Sequence, residues 1–218
     1  MANVWSDLRR LAPISRVFGT DLGTPIDRYY IENFLRLHSA DIRGRVMEVG
    51  DATYTRKFGG DRVAVSDVLH ATPGNGKATI VGDLATGMGV PTGVFDCIIL
   101  TQVFSFIYDM RSAVATAARA LAPSGSLLVT VPGISQISRY DMDRWGDFWR
   151  FTDRSARMLF EEAFEPAEVL VTAHGNVLVA TAFLQGMPLE ELTSEELDHV
   201  DPDYQVLITI RARRKQAA

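Results

Sequence analysis

The chain has 218 residues, 47% hydrophobic and 22% charged, enough for one domain with an ordinary core and unlike a disordered or disulfide-stapled chain. A formal net charge of −5 leaves no basic excess to displace counterions, so nucleic acid is not an expected partner. No apolar run approaches the ~20 residues that cross a bilayer, so no membrane partner is expected either.

From the start, Met1 to Arg10 is polar and mixed in charge, without the basic and apolar stretches of a secretory signal. Together with the single Cys97, set in the apolar run Phe95 to Leu100, this predicts a reducing, cytoplasmic setting. Ile31, Phe34, Leu35 and His38 fall at i, i+3, i+4 and i+7, predicting an amphipathic helix within an N-terminal helical cover, residues 1–44. Strands are expected at residues 45–49, 62–66, 78–81, 95–100, 126–131, 168–172 and 205–210. Asp109 is placed to cap a helix whose face carries Ala113, Val114, Ala117, Ala118 and Leu121. Thr152 is placed to cap another, with Ala156, Leu159, Phe160 and Ala163 inward.

This alternation of β-branched runs with helical patterns predicts a single α/β domain, 1–218, with a mostly parallel sheet and helices on both faces. Two stretches interrupt it: residues 133–150, aromatic and charged, and residues 182–204, acidic and partly helical. Both read as lid or substrate insertions. The basic run Arg211 to Lys215 reads as a solvated tail.

Three successive strand ends carry acids. Glu48-Val49-Gly50 offers a glycine where backbone must approach a ligand; Asp67 follows Glu48 by nineteen positions and suits ribose hydroxyls; Asp83 suits an adenine amine. A nicotinamide dinucleotide fits poorly, because Asp51 and Tyr54 would crowd a diphosphate that needs several glycines. A cationic ligand would suit these acidic surroundings better.

The order of these motifs resembles the class I S-adenosylmethionine-dependent methyltransferases. Phe95 to Gln102 resembles the family's fourth strand, and Leu121-Ala122-Pro123-Ser124-Gly125-Ser126-Leu127 resembles the entry to its fifth. Trp149-Arg150-Phe151-Thr152 resembles bacterial methyltransferases associated with glycan and polysaccharide biosynthesis. The family's Asp/Glu-x-Gly-x-Gly-x-Gly is reduced here to Gly50, with Ala52 and Tyr54 at the later glycines, so a different loop shape is expected. The resemblance implies a Rossmann-like seven-stranded sheet with the last strand antiparallel. It also implies S-adenosyl-L-methionine as cofactor and S-adenosyl-L-homocysteine as product. Glu48, Gly50, Asp67, Val68, Asp83, Leu84, Thr101, Gln102 and Tyr30 are the implied cofactor contacts. Arg28 is an alternative to Tyr30 for the cofactor carboxylate, and His70 is expected near the adenine.

The acceptor is expected at the carboxyl ends of the strands. Ser138 to Arg150 contains two tryptophans, a tyrosine, three acids and three arginines, a composition suited to stacking and hydrogen-bonding a sugar. Trp145, Trp149, Arg144 and Tyr108 are the substrate candidates, and His174, Asp141 and Tyr140 the candidate general bases. Asp141, Asp143 and Asp147 could gather Mg2+. The expected activity is O-methylation of a small hydroxylated acceptor, a sugar or oligosaccharide. Alternatives are N- or carboxyl-methylation of a small metabolite, or a non-catalytic adenosyl-binding module. A homodimer is compatible with the sequence.

Overall fold

The computed structural model describes residues 10–215, so most of the Met1–Arg10 stretch and the first part of the expected 1–44 cover lie outside the described residues. The apolar runs become one sheet of β1 (Gly44–Val49), β2 (Val63–His70), β3 (Ile80–Val81), β4 (Phe95–Thr101), β5 (Leu121–Pro132), β6 (Val169–His174) and β7 (Leu207–Arg213). Their order is β3-β2-β1-β4-β5-β7-β6. Only β7 is antiparallel, between β5 and β6. The sheet is Rossmann-like.

Side chains alternate across the strands, and each face buries its own cluster. Met47, Ile98, Leu127 and Val129 meet α2 (Met110–Ala120) and α4 (Asp153–Glu161). Val46, Cys97, Ile99 and Leu128 meet α1 (Ile26–Leu37) and α5 (Val177–Gln185). Asp109 caps α2 by accepting from the Ser112 amide at 3.1 Å, and Thr152 caps α4 through Ser155 at 3.2 Å. The 133–150 stretch forms one helical turn, α3 (Arg139–Met142). Residues 182–204 begin inside α5, include α6 (Ser194–Asp198) and end in a loop.

The end of β2 departs from expectation. Asp67 was expected at the strand tip, but pairing with β1 continues through Val68 and Leu69, and the strand ends at His70. Asp67 is therefore inside the sheet, 7% exposed, accepting from Arg45 Nε at 2.7 Å and Thr79 Oγ1 at 2.9 Å. A neighbouring strand supplies the cation that lets a carboxylate remain mid-strand. Val68, also read as a cofactor contact, is buried within the same strand.

Asp67→Ala strands both donors. It is expected to lower unfolding stability in urea by about 1–3 kcal/mol.

Candidate active site

The strand order reverses between β1 and β4, so loops leaving their carboxyl ends diverge. A cleft of about 600 Å³ opens there, lined by Gly50, Leu69, His70, Asp83, Leu84, Thr101 and Gln102, among others. Gly50 has φ +86°, and the space a Cβ would occupy is open. A left-handed backbone without a side chain lets a ligand come against the main chain.

Glu48 does not line this cleft. It is 4% exposed, and its carboxylate accepts from the Tyr54 amide at 3.1 Å and from the Thr55 amide and Thr55 Oγ1, both at 2.8 Å. It thus anchors the short π-helical turn Thr55–Gly59. Burial pushes its pKa above the ordinary carboxylate value, and the donors only partly oppose this. The Tyr54 side chain turns into the α1-side core, 6.0 Å from Phe58 between ring centroids, and its hydroxyl accepts from Arg28. This gives the loop its different shape without the missing glycines.

The expected cradle of three strand-tip carboxylates is therefore reduced to Asp83. Its Oδ1 accepts from the Ala85 amide at 2.7 Å, fixing the turn after β3. At the tip of β2 stands His70, its ring edge-on to Trp145 at 5.7 Å. Trp145, Phe148 and Tyr108 also line the cleft.

A second cavity of about 210 Å³ adjoins the first, with Gln102, Phe106 and Asp141 lining both. Gln102 has φ +58°, an unfavourable backbone for a residue with a side chain, held by its amide's bond to Thr130 O at 2.9 Å. Asp147 takes a two-pronged grip from Arg150, at 2.6 and 3.0 Å, and accepts from the Ser138 amide at 2.9 Å. Asp141 accepts from Ser138 Oγ at 2.6 Å. Arg28 and Asp27 of α1 complete the wall.

Several expected residues lie elsewhere. Val169, Val171 and Ala173 face the α4 side, so alternation turns His174 toward α1. There it stacks on Tyr30 at 5.3 Å and lies 3.1 Å from Thr209 Oγ1, in a separate cavity. Tyr30 donates to Leu197 O at 2.8 Å and is likewise outside the cleft. Trp149 packs against Tyr108 and the core, and lines neither strand-end cavity. Tyr140 and Arg144 stack on each other at 3.5 Å and also line neither, because both lie on the outer side of α3 and its following turn. Asp143 pairs with Arg139 on the surface. With Asp141 and Asp147 directed to Ser138 and Arg150, the three acids do not converge on a metal. Among the described residues no cluster of three or more His, Cys, Asp or Glu could hold one.

Asp27 is the residue that sequence reasoning missed. It stands three and four positions before Tyr30 and Ile31, hence on the apolar stripe of α1, which is where a carboxylate is least expected.

A model of the methyltransferase-domain family matches residues 19–180. The chain belongs to that family. It is an S-adenosylmethionine-dependent methyltransferase of the class I fold. The N-methyltransferase NodS from Bradyrhizobium japonicum, solved with S-adenosylhomocysteine, is similar at 18% identity over 88% of each chain, TM-score 0.56. A SAM-dependent methyltransferase from Archaeoglobus fulgidus matches at 11% over 86% of this chain and 94% of that one, TM-score 0.56. Phosphoethanolamine N-methyltransferase 2 from Haemonchus contortus, solved with S-adenosylmethionine, matches at 11% over 80% of this chain and 49% of its own, TM-score 0.53. No curated protein matches the sequence. The larger cleft fits the cofactor of the family: apolar walls from Leu69, Leu84 and Ile107 suit an adenine, and Gly50 leaves the main chain open beside them.

Burial lowers the His174 pKa from 6.5, so the unfolded chain binds a proton there more readily than the folded one. Folding stability should fall as pH drops below about 6.5, and His174→Gln should reduce that dependence in urea unfolding followed from pH 7 to 5.

Proposed function

We propose that the larger cleft holds S-adenosylmethionine and that the adjoining cavity holds a small hydroxylated acceptor, sugar-like in chemistry, methylated on oxygen. The observation that carries this reading is the wall shared by the two cavities, Gln102, Phe106 and Asp141. A donor in one and an acceptor in the other would meet across the end of β4. Gly50 would take the methionine moiety against its backbone, His70 would stand toward the ribose, and Asp83 with Leu84 toward the adenine. The bound cofactor supplies a methyl group on a cationic sulfur. Alignment of the two reactants, a proximity effect, is the main contribution asked of the protein.

The second cavity's lining supports a hydroxylated acceptor. Ser105, Gln136 and Ser138 alternate with acids and Arg150, while Phe18, Phe106 and Phe183 offer apolar faces to C–H groups. The stacking platform of paired tryptophans is not part of the reading, since Trp145 stands over the donor cleft. A second reading, N-methylation, is favoured by one observation: three carboxylates, Asp27, Asp141 and Asp147, against two guanidiniums in the same cavity suit an amine cation. The proposal also keeps a glycan-modifying role, a cytoplasmic setting and a single catalytic domain. Among the described residues no helix is long and apolar enough to cross a membrane.

Calorimetry with S-adenosylhomocysteine tests the donor cleft: Gly50→Ala should weaken binding at least about tenfold, ~1.4 kcal/mol, whereas Asp67→Ala should leave it near the wild-type value. Transfer of radiolabelled methyl from S-adenosylmethionine to a panel of methyl glycosides and matched amino sugars tests the acceptor. Labelling of ethers supports the O-methyl reading, and labelling of amines alone replaces it with the second.

A further inference from the structure

Within the acceptor cavity the charged groups are not equally engaged. Both Asp147 oxygens bond to Arg150. Asp141 Oδ2 holds Ser138, and Arg28 bonds to the Tyr54 hydroxyl. Asp27 differs from all of these: its Oδ1 is buried and has no hydrogen-bond partner. It sits in the first turn of α1, after Pro25, and lines the cavity together with Gln102, Ser138 and Asp141. An unpartnered buried carboxylate oxygen is costly unless a ligand satisfies it.

We propose that Asp27 is the catalytic base of the methyl transfer, its carboxylate accepting the proton of the acceptor hydroxyl; this rests on the O-methyl reading above. In the step, the acceptor oxygen forms a bond to the methyl carbon as the carbon–sulfur bond breaks, with the electron pair left on sulfur. The hydroxyl proton passes to the Asp27 carboxylate and leaves to solvent after product release. Atoms and charge balance without a further reactant: a sulfonium and a carboxylate become a thioether and a carboxylic acid.

The surroundings suit this role. Burial raises the Asp27 carboxyl above its ordinary 3.8, opposed by Arg28 on the same helix and by backbone donors. The other titratable or charged groups lining the same cavity are Asp141, Asp147 and Arg150, and Tyr54 in the loop after β1 feels the Asp27 charge. A carboxylate whose pKa is raised is a better proton acceptor than an ordinary surface one. The carboxylate is also kept from pairing by local geometry: Arg28, the nearest cation in sequence, is drawn away to the Tyr54 hydroxyl and lies over its ring at 5.6 Å.

Wild type, Asp27→Asn and Asp27→Glu are to be compared with radiolabelled S-adenosylmethionine and the methyl glycosides, alongside S-adenosylhomocysteine calorimetry, melting curves and carbon-13 NMR titration of Asp27 in the protein alone. The expected result is a kcat loss of about 10²–10⁴-fold for Asp27→Asn with unchanged S-adenosylhomocysteine affinity and a melting temperature no lower than wild type. Removing a charge whose burial is unfavourable should not destabilise the fold. The wild-type rate should rise with pH through the raised Asp27 pKa, Asp27→Asn should lose that limb, and Asp27→Glu should restore part of the rate. Retention of kcat within about threefold by Asp27→Asn, with the same pH limb, overturns the proposal. So does titration of Asp27 at or below 3.8. If wild type methylates amines but none of the glycosides, the O-methyl reading fails first and the inference with it.

Discussion

The reversal of strand order between β1 and β4 is the constraint from which the rest follows. Parallel strands bring their carboxyl ends to one edge, and reversal makes the loops that leave them diverge. Both cavities occupy that edge, and Gln102, at the end of β4, stands between them with its strained backbone. Strain at a strand tip requires a rigid support. β4 supplies it, being paired on both sides, by β1 and β5. The architecture therefore concentrates its irregularity where two ligands would have to meet.

The architecture was legible because hydrophobic period and capping agree along the chain. Asp109 and Thr152 read as caps and are caps, and the alternation of apolar runs with helical patterns read as a sheet with helices on both faces, as it is. The acids were less legible. Glu48 and Asp67 carry the residue types a cofactor would want, yet each is drawn inward by donors the linear sequence does not pair with it. For Glu48 these come from a loop six and seven residues on; for Asp67, from Arg45 in the adjacent strand. Composition announces a charge, but only register tells which partner neutralises it. His174 was a different matter: its direction follows from strict alternation with Val169, Val171 and Ala173, so period alone would have placed it.

Residues 133–150 show how composition can point to the right segment and the wrong side chains. Two tryptophans four positions apart suggested one platform, but they separate: Trp145 meets His70 over the larger cleft and Trp149 enters the core beside Tyr108. The polar residues of the segment form the wall of the smaller cavity instead. Arg150 makes this arrangement stiff, binding Asp147, the Gln136 carbonyl at 2.6 Å and the Ser135 carbonyl at 3.4 Å. A guanidinium with several acceptors is a fixed structural element more than a free ligand for substrate.

With the acids turned inward, a different electrostatic picture accounts for a cationic donor. A sulfonium needs no carboxylate in contact, provided it is not surrounded by other cations. Among the described residues lining the larger cleft there is no Lys or Arg, and Asp83 and Asp141 are its acids. The two guanidiniums of the neighbouring cavity are each occupied, Arg28 by Tyr54 and Arg150 by Asp147. Positive charge is thus kept local where it would oppose a cationic donor. The departure of Tyr54 from the family's glycine belongs to this arrangement: a glycine at that position would have no hydroxyl with which to hold Arg28.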